Sequence, residues 1–261
     1  MTATPPQFGE PSPWPVRPML PTAPPSPDDP QFPAADQAFG RQIRLQRETD
    51  AMIGVKTGAT LLLRSLIKVL QTDPHGVRAE LLVGVPAMLS GFACQAATWE
   101  SLVVNGRHPV QSVFALVQTD DGTTYPFSDP MNKLLLEDQY SVWGLTLAIG
   151  KAKTDQPMPD VLDTVQHVAK SIGSPEFGQP RLPQGLSLGH NSALDIVQHA
   201  WPRFLPLLGL CCAIPEEWPV LYAIALQQAI DQAQSVIPPD AAVALAIECA
   251  VPMAHLPMLP A

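Results

Sequence analysis

The sequence predicts a mainly α fold, a multi-helix, bundle-like globular domain carrying one small β-hairpin at about residues 112–127. Three observations predict it. Apolar residues recur at helical spacing in stretch after stretch, as with Val161, Val165, Val168 and Ile172. The run Leu81–Trp99 contains no charged residue, which fits a helix buried in the centre of a domain. Only one stretch, Val113–Phe127, joins β-forming residues to an Asp-Gly turn signal.

Taken in order, residues 1–37 read as a Pro-rich arm, disordered or extended. Twelve of the 31 prolines fall before residue 37; proline lacks an amide donor and fixes φ, so the arm enters neither a ladder nor a helix interior. Phe8, Trp14, Phe32 and Phe39 are spaced along it or just after it, and Trp14 is a candidate contact residue. A single helical domain is expected over 38–256, with a short tail at 257–261. A helix from Ala38 to Ile53 carries Arg41, Arg44 and Arg47 on one face, read as a solvated stripe balanced by Glu48 and Asp50. Residues 57–72 form an amphipathic helix that ends at Asp73-Pro74-His75-Gly76.

The next helix, from about Val77 to Val103, is apolar nearly all round. Its small residues, Gly84, Ala87 and Gly91 among them, let neighbours approach closely. After the hairpin, whose Pro126 confines the second strand to an edge, Ser128-Asp129-Pro130 opens a helix. A buried segment follows over 140–149, then a helix over 159–172. Ser192 and Asp195 form a capping pair that starts another helix, which Pro202 and Pro206 are expected to break or kink. Pro215-Glu216-Glu217 and Pro238-Pro239-Asp240 open the last two. The expected total is seven to nine helices and one hairpin.

Composition narrows the function. Apolar residues make up 46% and charged residues 15%, enough for a large core. The net charge of −9 and the lack of any Lys/Arg cluster argue against a nucleic-acid partner. The polar and small residues within Leu81–Trp99 favour a core helix over a membrane span. Cys94, Cys211, Cys212 and Cys249 sit in apolar stretches without metal or redox spacing, so a reducing cytoplasm is expected. There is no HExxH, GxSxG or P-loop pattern, and no catalytic residue, cofactor or metal site is assigned.

Two features stand out. The stretch 173–191, GSPEFGQPRLPQGLSLGHN, is a long loop between helices, and it supplies Glu176, Phe177, Arg181, His190 and Asn191 as candidate binding residues. Its Phe177, Leu182, Leu186 and Leu188 are suited to pin it to the body. Glu248 is the only charge in the apolar helix segment 241–253, so it requires a partner, expected to be an arginine, or a pocket. The expected function is therefore a non-catalytic binding or adaptor protein working through protein–protein contacts, with a protein partner or self-association as a homodimer. The alternative is an enzyme with a polar inter-helix pocket using Glu176, Arg181, His190 or Glu248.

Overall fold

The computed structural model describes residues 23–26, 28–30, 32–72, 76–189 and 192–257. The fold is organised around α3 (Ala79–Thr98), in which every residue from Leu81 to Thr98 is buried. Its principal neighbours are α9 (Glu217–Ala233) and α10 (Pro239–Ala254). The contact with α10 is backbone to backbone: a Cβ on Gly91 would collide with the Ala250 carbonyl. That is the physical use of the small residues in this helix. Although α3 and the π-helical turns after it (Trp99–Asn105) are long and apolar enough to cross a membrane, their apolar window is wholly enclosed by the other helices.

α2 (Ile53–Leu70) lies along α9, and α8 (Ala193–Cys211) packs on α2 and α3. α1 (Ala34–Gln46) covers α8. On the other side, α6 (Val142–Lys153) joins α9 and α10, while α7 (Val161–Ser171) covers α10 through Val168 against Ile247 and Val251. α4 (Val110–Val113) and α5 (Asp129–Asn132) are single turns flanking the hairpin, α5 continuing into π-helical turns over Lys133–Glu137. Counting only helices longer than these turns, the described residues hold eight, within the range expected. An aromatic group links the layers: Phe92 meets Trp201 edge-on at 4.8 Å, and Trp201 lies 5.9 Å from Tyr222.

The hairpin pairs β1 (Ala115–Gln118) with β2 (Thr124–Phe127) antiparallel, Ala115 opposite Phe127 and Gln118 opposite Thr124. Gly122 takes the left-handed conformation (φ 84°) that the turn requires. A hairpin alone is marginal in water, and this one is anchored: Tyr125 packs edge-on against Phe177 at 4.9 Å, and Phe127 stacks on His255 at 4.5 Å.

Two expectations are corrected. The helix expected over 38–53 ends instead at Gln46 as α1, and after a turn α2, the helix expected over 57–72, begins at Ile53. Asp50 stabilises the turn, its carboxylate accepting from the Met52 amide at 3.0 Å and from Lys56 at 2.9 Å. Of the break or kink expected at Pro202 and Pro206, the break does not occur: α8 continues to Cys211. Both lie four apart on its exposed face, so the donors they lack are lost on the water side, where solvent compensates. The arginine stripe is not uniformly solvated: Arg47 turns inward. Its guanidinium donates to both oxygens of Glu217 (2.8 and 2.7 Å), to the Cys211 carbonyl (2.6 Å) and to the Ala51 carbonyl (3.0 Å). Those contacts tie the α1–α2 turn, the end of α8 and the start of α9 together.

Candidate functional site

The long loop after α7 is ordered by its own turns and by three anchors. Gly173, Gly178, Gly185 and Gly189 all take positive φ, which lets the chain reverse repeatedly. Phe177 is the first anchor, against Tyr125 of the hairpin. Leu188 is the third: its side chain is buried beside Gly84 of α3, and its carbonyl accepts from Arg78 at 2.7 Å. Leu182 and Leu186 pack on the core between them. The apolar residues singled out in the sequence thus do pin the loop.

Arg181 is the middle anchor and the centre of the candidate site. Glu248, only 7% exposed on α10, receives four hydrogen bonds. Its Oε1 accepts from Thr164 Oγ1 (2.7 Å) and Arg181 Nη2 (2.6 Å), and its Oε2 accepts from the Arg181 amide (2.9 Å) and Nε (3.3 Å). Arg181 Nη1 also pairs with Asp163 at 2.9 Å. Hydrogen bonding to Glu248, and then to Asp163, holds the Arg181 guanidinium further into its charged form. The buried acid therefore has an arginine partner. α7 supplies Thr164 because its apolar face is also the face that meets α10: Thr164 lies between Val161 and Val168 on that stripe.

Beside the cluster is an open cavity of about 370 Å3, lined by Asp160, Asp163, Thr164, Arg181, Ala244 and Glu248 among others. Glu176 does not line it; that side chain is exposed, and its backbone closes a turn with Gln179. Phe177 faces the hairpin. Of the described loop residues proposed from sequence, only Arg181 joins Glu248; His190 and Asn191 of the loop and Trp14 of the arm lie outside the described residues. Sequence reasoning missed Asp163 and Thr164. The available signal was Thr164 itself, a polar residue on the apolar stripe of its helix.

The other reactive side chains are muted. Burial raises the Cys94 and Cys249 thiols and pushes Cys211 up to about 12, with the Arg47 charge acting weakly in the opposite sense. Burial likewise depresses His255, whose Nδ1 donates to the Pro126 carbonyl at 3.0 Å and so raises it in part. Among the described residues no group of three His, Cys, Asp or Glu is placed to hold a metal ion. Comparison with family models, curated proteins and solved structures finds no match to this chain.

Proposed function

We propose that this chain is a non-catalytic binding protein that works through protein–protein contacts, itself included among the partners. The observation that carries the reading is the saturation of Glu248. A general base needs a free lone pair facing substrate, and here four donors occupy the carboxylate while Arg181 is shared with Asp163. The best acid–base candidate is thus spent on holding a loop. Exposed apolar side chains supply contact material, notably Leu45, Leu116, Val117, Ile214 and Val236. Four unpaired cysteines suit a reducing cytoplasmic setting.

The test is affinity purification of the tagged full chain from its native cells, followed by titration of each co-purifying protein as a pure component. Saturable binding at a fixed stoichiometry, to another protein or to a second copy, is the expected result. A chain for which no protein binds stoichiometrically overturns the reading.

The cavity beside Arg181 favours a second reading, an enzyme or small-molecule binder using Arg181 and Glu248. It predicts a ligand that raises the melting temperature of the wild type and not of Arg181→Gln.

A further inference from the structure

The two edges of the hairpin differ in chemistry. The Thr119 amide donates to the Thr123 carbonyl at 2.9 Å, while the Thr119 carbonyl accepts from the Gly122 amide at 2.9 Å, so the ladder ends at a bonded position closed by the Gly122 turn. Bonded and non-bonded pairs alternate along an antiparallel ladder. Val117/Tyr125 and Ala115/Phe127 are therefore bonded pairs, while Leu116/Pro126 and Gln118/Thr124 are not. The register agrees with the chemistry, since Pro126 has no N–H to offer β1. It follows that the main-chain groups of Leu116 and Gln118 point away from β2, and those of Pro126 point outward on the far side.

The outer edge of β2 is closed at Pro126, which has no donor and whose carbonyl accepts from the buried His255. The outer edge of β1 is open. All four of its residues are exposed, Leu116 at 36% and Val117 at 44%. Among the described residues no group bonds to the outward N–H or C=O of Leu116 or Gln118. The strand is short, which by itself limits edge pairing, but it carries no charge, no proline and no bulge to block it.

The geometry points to this edge as a self-association site, at which β1 of a second copy adds antiparallel across a twofold axis at Val117. The inference rests on the contact-protein reading above and names its surface and partner. A second copy is the occupant because the strand complements itself. With the axis at Val117, Leu116 of each copy lies opposite Gln118 of the other, both outward residues are used, and each pair exchanges two main-chain bonds. Val117 then faces Val117 as a non-bonded, β-branched pair, the closer of the two cross-strand geometries. The chain carries a net charge of −9, so two copies repel unless they meet where charge is absent. In this register they meet along Ala115–Thr119, an uncharged stretch, and Asp120 lies opposite Phe114 rather than another acid. A four-residue strand gives a small interface, so a reversible dimer is expected rather than an obligate one.

Sedimentation velocity of the full chain, from about 1 to about 200 µM, tests this. The wild type is expected to pass reversibly from monomer to dimer. Leu116→Pro removes one outward donor and no β1–β2 bond, and Val117→Asp sets two like charges face to face. Both are expected to remain monomeric with unchanged circular dichroism. Val117→Cys is expected to form an intermolecular disulfide on mild oxidation, because non-bonded pairs sit about 4.5 Å apart at Cα. Leu116→Cys is not, since its counterpart lies on the 7–8 Å diagonal. A wild type that stays monomeric, or a dimer that survives both substitutions, overturns the proposal. A surviving dimer leaves the contact-protein reading standing on another surface. A monomer that binds a different protein unless Leu116 is proline overturns only the second copy as occupant, and a monomer with no partner overturns both readings.

Discussion

Glu248 and Arg181 form an asymmetric pair, and the asymmetry sets what each substitution does. Arg181 is 41% exposed at its side chain while that of Glu248 is 8% exposed. Removing the arginine strands a buried carboxylate, whereas removing the acid releases a guanidinium that water can take up. Arg181→Ala is therefore expected to cost more than Glu248→Gln, about 2–3 against about 1 kcal/mol after allowing for solvent screening. Chemical denaturation of the two variants measures the difference, and equal costs would show that the pair is not organised around the buried acid. His255 gives a pH dependence of definite sign. Burial holds its pKa below the usual 6.5, so the unfolded chain takes up a proton that the folded chain refuses. Stability then falls as pH drops below about 6.5, toward the lower folded value. His255→Asn keeps a donor toward Pro126 without the titration, and its melting temperature should fall less between pH 7.5 and 5.5 than that of the wild type.

At the scale of elements, two contacts join helices that are remote in sequence. The crossing of α3 and α10 depends on Gly91, against which the Ala250 backbone lies directly. Gly91→Ala forces the helices apart and is expected to lose about 2–3 kcal/mol, read from the urea midpoint. Arg47 and Glu217, each 16% exposed, join three helix ends, and Arg47→Ala is expected to cost about 2–4 kcal/mol by stranding Glu217. Elements with one strong local signal were legible in the sequence. α7 announced itself by its valine stripe, α8 by Ser192, whose hydroxyl does accept from the Asp195 amide, and the hairpin by Asp121-Gly122. Boundaries held by a single side chain were not: the first helix stops at Gln46 and the second starts at Ile53, around a turn that Asp50 holds, and nothing in the pattern placed it there.

For the whole molecule, the site was half legible. Glu248 and the loop each stood out locally, one as a lone charge in an apolar helix, the other as a run without period. Their union was hidden because 67 residues separate Arg181 from Glu248, and only the packing of α7 on α10 brings Asp163, Thr164 and the loop to one place. The N-terminal arm reads by composition as disordered or extended; in its described part Phe32 is buried, Asp28 pairs with Arg44 at 2.9 Å, and the Pro25 carbonyl lies against Gly209 of α8. The functional reading rests on Glu248 being occupied as the fastening of the loop. Hydrogen exchange of the full chain, wild type beside Glu248→Ala, tests that most directly. Faster exchange confined to amides between Gly173 and Gly189, the Arg181 amide foremost, with α3, α9 and α10 still protected, is the result expected. Unchanged exchange across that loop would contradict the account and return Glu248 to the list of residues available for chemistry.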